Sequence, residues 1–544
     1  MKILYILSEY LPDSAGGIIS HYARILPGLV ERGHEVTVVL ASKDKLDQPD
    51  YEIDGVWVRT LKSKFLERYA NRLGRWAGLD IFYYLLPVAW AAWAQAQEGF
   101  DFDLVETTDW ALLFLPWVAA EKRASVVVSL HGSCGQVDWY GKGEPRSLDG
   151  DLVRMVEVAA LRGADVVHAN SRANAEFWRE KTGREILVIP PAYGGATKAD
   201  LTTEDTEDTE DTEDTEDTED TEDTEDTETA VGPGLDKASG ALFSNPFTSE
   251  LARVSENTSP TCSAIGPAGA AEPLRADAGG LISDGSEFPK ALDSRPSPLD
   301  LSSPATSYSP PATAPQALKG LVVGRLQNWK GAEVLCPALR LVPGIEIEWV
   351  GGDTDWGQSG MKASEYLAAN YPDVFGKKLH WIGRLERDQV AQKMKVAGFL
   401  VVPSVWDVFN LTVAEGMEAG LPVICSRAAG AEMLIENGRS GFLFDPAKPE
   451  ELVESLYQVA KMSKEEMSQM GHKAQAALRT LLEEEKILNM LEDSYIDAIQ
   501  RGVLIQSDSL LKSLIAPSSN GEVISKSGFV RRAIWKVRKL LANV

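Results

Sequence analysis

The sequence predicts an α/β chain made of two doubly wound halves, each a parallel sheet covered by helices, with a long non-globular insertion between them. Three observations predict it. Short apolar runs alternate with amphipathic helical stretches up to about residue 198, and the same alternation restarts at about 317. Between the two, Ala199 to Gln316 carries a Thr-Glu-Asp repeat and then a tract rich in Ser, Pro, Ala and Gly. The 544 residues, 44% hydrophobic and 25% charged, have globular composition and exceed what one core can hold, so two or three domains are expected.

In the first half, Ile3 to Leu7 reads as a strand, Ile18 to Glu31 as an amphipathic helix ending before Gly33, and "HEVTVVLA" as a second strand. "FDLVETTD", "ASVVVSLHG", "ADVVHANS" and "EILVIPP" follow as further strands. The opening "MKILYILSEYLP" has one lysine and an apolar run ending at Ser8 and Glu9, which suits a buried strand better than a signal peptide. Leu79 to Ala94 is interrupted by Asp80 and Pro87 and falls short of the roughly 20 residues that span a bilayer, so it reads as a buried or interfacial helix. The second half repeats the pattern through "LKGLVVGRL", "IEIEWVGG", "LHWIGRL", "GFLVVPS", "LPVICS" and "GFLFDP". The expected organisation is 1–198, an insertion 199–316, 317–485, a helix 486–502 packing back on the core, and 503–544 as linker and tail.

Charge and cysteine usage narrow the function. Of the net charge of −27, sixteen units lie in the eight Thr-Glu-Asp triplets of residues 203–226, leaving −11. That insertion cannot bury enough apolar surface to offset ordering entropy, and disorder is expected. A charged single helix or a cation-binding tail is the alternative, opposed by threonine at every third position and unbroken like-charge repulsion. The one basic cluster is C-terminal, so nucleic acid is not an expected partner. Cys134, Cys262, Cys336 and Cys425 lack metal-ligand spacing, which points to a reducing compartment. The tail "GFVRRAIWKVRKLLANV" interleaves Arg531, Arg532, Lys536, Arg538 and Lys539 with apolar residues including Trp535. As a helix, 529–544 would suit an anionic membrane surface, or else would pack with its basic face in solvent.

Four stretches sit at predicted loops where ligands of doubly wound folds bind. Gly16 and Gly17 follow the first strand and precede a helix, where bare backbone can approach a phosphate or sugar, or simply turn. "GRLQNWKG" places Arg325 and Lys330 after the first strand of the second half, fit to clamp a diphosphate. His131 ends an apolar strand in "SLHG" and is either a structural residue or faces the crevice. "WDVFNLTVAEGMEAGLPVICS" puts Asp407 before, and Glu415 inside, a helix over Leu411 to Ala419, with Asn410 as candidate N-cap and Gly420 as stop. Both acids can reach one ligand there; alternatively Asp407 merely favours the helix N-terminus and Glu415 is solvated.

Together these segments resemble the GT-B glycosyltransferases, in particular glycosyltransferase family 4, over roughly 1–198 and 317–500. The resemblance implies two Rossmann-like domains facing each other across a cleft. It implies a retaining, metal-independent transfer from a nucleotide-sugar donor, bound mainly by the C-terminal half, to a glycan, lipid-linked or small-molecule acceptor. No cofactor is implied beyond the nucleotide sugar. By that resemblance Arg325 and Lys330 hold the diphosphate, Glu415 binds the ribose, Asp407 contacts the donor sugar and His131 lies near the transferred sugar. Gly16, Gly17, Gly383, Asn410, Leu411 and Thr412 complete the donor site. Polysaccharide biosynthesis in the cytoplasm, peripheral at the inner face of the membrane, is the implied setting. Family members usually carry Glu at the position of Asp407 and Gly at that of Asn410, so this chain has a shorter acid and an added side chain. A non-catalytic nucleotide-sugar-binding scaffold and a nucleotide-sugar epimerase are the competing functions.

Overall fold

The structure, a computed structural model, describes residues 1–12, 17–76, 79–98, 101–120, 124–141, 148–193, 317–357, 359–501, 511 and 515–517. Gly16, the expected disordered insertion and the basic tail 529–544 lie outside the described residues.

In the first half the strands are β1 (Lys2–Leu7), β2 (Glu35–Leu40), β3 (Tyr51–Ile53), β4 (Val56–Thr60), β5 (Leu104–Thr108), β6 (Ser125–Leu130), β7 (Val166–Ala169) and β8 (Leu187–Val188). They form one sheet of order β3-β4-β2-β1-β5-β6-β7-β8, parallel except for the β3–β4 hairpin. Helices α1 (Gly17–Glu31), α2 (Ser63–Ala70), α3 (Asp80–Gln97), α4 (Leu115–Ala119), α5 (Cys134–Gly141), α6 (Leu148–Leu161) and α7 (Arg172–Thr182) connect them. β5, β6 and β7 are buried along their whole length, which is why they read as continuous apolar runs rather than alternating ones. The apolar stretch around Pro87 is α3, whose buried face runs from Ile81 to Ala96.

The second half has β9 (Leu318–Val323), β10 (Ile345–Val350), β11 (Leu379–Gly383), β12 (Phe399–Val402), β13 (Val423–Ser426) and β14 (Phe442–Phe444). Its order, β11-β10-β9-β12-β13-β14, reverses direction between β9 and β12, so the loops after those two strands meet at the switch point. Its helices are α8 (Ala332–Leu341), α9 (Ala363–Asn370), α10 (Arg387–Val396), α11 (Leu411–Glu418), α12 (Pro449–Lys461), α13 (Lys464–Leu481) and α14 (Glu484–Arg501). Among the described residues no helix is long and apolar enough to cross a membrane.

The last described helix does not pack on the half that precedes it. α14 crosses to the first half, where Ile487, Leu488, Leu491, Tyr495 and Ala498 share one core with Ile3, Tyr5 and Leu7 of β1. Polar contacts fix its register. Tyr495 Oη lies 2.8 Å from Tyr5 Oη and donates to Glu106, while Glu492 takes Arg32 at 2.6 Å. Leu491 is 1% exposed, so Leu491→Ala should cost about 2–5 kcal/mol through lost burial and a cavity. Urea unfolding checks this; an unchanged midpoint would show α14 to be an appendage.

Candidate active site

The site is assembled from the loops after β9 and β12. The β12 loop is held by its backbone: the N–H of Val405 donates to Trp329 at 2.8 Å, that of Asp407 to Ala428 at 3.1 Å, and that of Gly430 to Asp407 at 3.1 Å. Gly331, at φ 84°, closes the β9 loop against it; a Cβ there would sit 1.8 Å from the Pro403 carbonyl oxygen, so no larger residue fits. Two loops locked this way present Lys330 and Asp407 to each other. Lys330 Nζ donates to Asp407 Oδ2 at 2.6 Å.

Asn410 departs from its expected role. It precedes α11, but no side-chain capping bond forms, and its backbone is left-handed at φ 73°. Its amide Nδ2 instead donates to Asp407 Oδ2 at 2.9 Å. The reason is local competition: the shared carboxylate is charged and near, and a hydrogen bond to a charged acceptor outweighs one to a backbone amide. Gly420, at φ 73°, follows the last turn of α11 as the sequence suggests.

Arg325 opens the same loop, with its side chain exposed yet close to protein atoms. Desolvation pulls its pKa below the usual guanidinium value, with the Asp407 carboxylate opposing. Lys330, Arg325 and Asp407 are therefore brought together, and Leu411 and Thr412 form the first turn of α11, where helix N–H groups lack intrahelical partners. Thr412 Oγ1 donates to the Val323 carbonyl at 3.5 Å.

Glu415 lies a turn further along α11. Burial raises its pKa, against the opposing charges of Arg387 and then Arg24. Arg24 comes from α1 of the other half, and its guanidinium stands 5.6 Å from the Tyr193 ring centroid. Neither arginine stands out in the sequence, because each lies on a helix and outside any recognisable motif. Gly17 is the first residue of α1, and Gly383 ends β11 at φ 87°, with its carbonyl bonded to Gly351 N–H at 2.8 Å.

The first half reaches this site through the end of β6. Gly132, at φ 108°, adopts a backbone that other residues rarely take, and a Cβ there would press on the Val408 side chain at 3.0 Å and touch Trp406 at 3.8 Å. Ser171 Oγ donates to the Val408 carbonyl at 2.7 Å, and the Tyr140 ring stacks on Trp406 at 4.6 Å with planes 8° apart. These contacts place His131, immediately before Gly132, beside the Asp407 loop. The imidazole Nδ1 pairs with Asn170 Nδ2 at 3.1 Å and Nε2 with Ser129 Oγ at 3.0 Å. Burial, then the neighbouring His21 and His168, holds its pKa well below the ordinary value, so it is neutral at pH 7. The sequence signal missed here is Trp406 with Tyr140, which carried no motif.

Two parallel sheets meeting through the loops at their carboxyl ends form the GT-B architecture. Residues 16–192 match the glycosyl transferase 4-like domain and residues 313–477 match the glycosyl transferases group 1 family. The chain belongs to the group 1, family 4 type of GT-B glycosyltransferases. Among solved structures it is similar to sucrose-phosphate synthase from Thermosynechococcus elongatus, with TM-score 0.54, 16% identity, and coverage of 92% of this chain and 100% of that one. It is also similar to Anabaena HepE in complex with UDP-glucose, with TM-score 0.50, 15% identity and coverage of 91% and 99%. At these identities the likeness is one of fold. The sulfoquinovosyl transferase SQD2 of Arabidopsis thaliana is 31% identical over 137 residues, 25% of each chain. The D-inositol 3-phosphate glycosyltransferase of Mycobacteroides abscessus is 25% identical over 134 residues, 25% of this chain and 30% of that one. The chain spans less than a third of either relative's length.

Buried carboxyls beneath the site make stability depend on pH. Burial pushes Glu106 and Asp109 up to about 7 and Glu157 up to about 8. A carboxyl that holds its proton more tightly when folded adds stability that is complete below its unfolded pKa and is lost as pH rises through its folded one. The buried histidines are mostly neutral in both states above about pH 7, so they do not offset this. The melting temperature should fall from about pH 6.5 to about pH 8.5, and Glu157→Gln should flatten the fall. A melting temperature that rises over that range contradicts the assignment.

Proposed function

We propose that the chain is a retaining, metal-independent glycosyltransferase that moves a sugar from a nucleotide-sugar donor to a glycan, lipid-linked or small-molecule acceptor. The observation that carries this reading is the convergence of Arg325 and Lys330 on the Asp407 carboxylate at the switch point of the second sheet. Breaking a glycosyl–phosphate bond leaves negative charge on the nucleoside diphosphate and positive character on the anomeric carbon. Two fixed cations stabilise the first, as a metal ion otherwise would, and a carboxylate suits the hydroxyls flanking the second. The bond from anomeric carbon to phosphate oxygen breaks, the acceptor oxygen forms the new bond, and the acceptor's proton departs with the nucleoside diphosphate.

In this reading Glu415 accepts from the ribose hydroxyls, and the amides of Leu411 and Thr412 face the diphosphate. Gly17 at the start of α1 offers bare backbone to the donor, Gly16 does so by its place in the sequence, and Gly383 at the end of β11 serves the base. His131, neutral and already held by Ser129 and Asn170, offers a hydrogen bond to a sugar hydroxyl by exchanging one of those partners. No resident cofactor is needed. The tail 529–544, by its sequence, suits a lipid-linked acceptor at an anionic membrane surface.

The test is a thermal-shift screen against UDP, GDP, ADP and TDP and their sugars, with UDP first because HepE, similar in fold, was solved with UDP-glucose. A nucleotide at ~100 times its dissociation constant stabilises the wild type by ~2.7 kcal/mol. Arg325→Ala and Lys330→Ala should abolish that shift and lower transfer by ~10²-fold or more. Undiminished transfer in both variants sinks the diphosphate assignment.

A further inference from the structure

Asp407 Oδ2 is bonded twice, by Lys330 Nζ at 2.6 Å and by Asn410 Nδ2 at 2.9 Å. The second bond is made under local penalties. Asn410 occupies the left-handed region at φ 73° and ψ 84°, which non-glycine residues seldom adopt, and it forgoes the capping bond that an asparagine at a helix start ordinarily makes. A residue that accepts both is fixed by what its side chain holds, and here that is the carboxylate.

We propose that Asn410 is a positioning residue that keeps the Asp407 carboxylate in place when Lys330 leaves it for the donor's diphosphate. The inference rests on the donor-site reading given above. One ammonium serves two anions in turn: before the donor arrives it neutralises Asp407, and afterwards two phosphate groups with more negative charge compete for it. Asp407 would then be partly buried with its strongest partner gone, and a lone carboxylate on a single short side chain can rotate or recapture the lysine. The Asn410 amide, which carries no charge and binds phosphate weakly, stays behind and holds Oδ2. Asp407 thereby keeps its orientation towards the hydroxyls of the donor sugar. Trp406 and Val408, either side of Asp407, are held by Tyr140 and Ser171, so the backbone does not follow the lysine.

The pairing also explains how a short acid suffices. The carboxamide stands 2.9 Å from Asp407 Oδ2, so a carboxylate one methylene longer would have to move it or turn aside. Asp407→Glu alone therefore crowds Asn410, and Asn410→Gly alone leaves Asp407 without its second donor, whereas the double variant gives a longer carboxylate the vacated space. Glycine is suited to the left-handed backbone at 410, so loss of fold does not confound the single variant.

Isothermal titration of the full chain with UDP and with UDP-glucose, and with the corresponding GDP, ADP and TDP pairs, separates the possibilities. Asn410→Gly should reduce the advantage of the sugar conjugate over its own nucleoside diphosphate about tenfold, the loss of one hydrogen bond to a charged group. Asp407→Glu should lose a similar factor, and the double variant should recover it. Unchanged discrimination in Asn410→Gly overturns the proposal while leaving the donor site standing. A loss that the double variant fails to recover also overturns it, because the effect then comes from the backbone. Wild type that binds none of the nucleotides or conjugates overturns the donor-site reading and the positioning role with it.

Discussion

The contact on which the site depends is the ion pair between Lys330 and Asp407, 2.6 Å long and half-buried between two loop ends. Its members come from different strands, β9 and β12, that lie side by side where the sheet order reverses. A parallel sheet must leave a crevice at that point, because the connections on either side depart to opposite faces. The opposed charges lower the desolvation penalty each would meet alone, and they leave a cation and a carboxylate at the mouth of the crevice. Glycine at 331 is the steric condition for the arrangement, since any side chain there would strike Pro403.

The second constraint is the seam between halves. Ser171, Gly132 and Tyr140 of the first half bind or pack against residues 406–408, the same stretch that carries Asp407. α14 provides the return connection, burying one face in the core of the first half and adding Tyr495 to the Glu106 cluster. The two halves are thus joined by contacts at residues 406–408 and by α14. On the proposed function, chemistry on a bound sugar would draw on both halves, with neutral His131 from one and the charged loop from the other.

Much of this architecture was legible in the sequence. Runs such as "VVVSL" and "FLVV" are apolar at every position because both faces of a parallel sheet are covered, and the restart at Leu318 announced a second sheet. Arg325, Lys330 and Asp407 stood out because they are charged residues in loops that follow buried strands, and Glu415 because it follows Asp407 inside the helix which that loop opens. What was hidden depends on contacts between distant segments. Arg24 faces Glu415 only through the packing of one half on the other, and Tyr140 meets Trp406 across more than 260 positions. Asn410 looked like a cap because sequence shows its neighbours along the chain and not the carboxylate that draws its side chain away. α14 was legible as a helix; that it joins the first core was not, since its apolar face would fit either sheet.

The most direct measurement is a crystal structure of the full chain with the nucleoside diphosphate that binds it. The account predicts phosphate oxygens about 2.7–2.9 Å from Lys330 Nζ and in hydrogen-bond reach of Arg325, with Lys330 released from Asp407 and Asn410 still bonded to it. A nucleotide bound elsewhere, or one seated in the cleft with Lys330 still on Asp407, would contradict it.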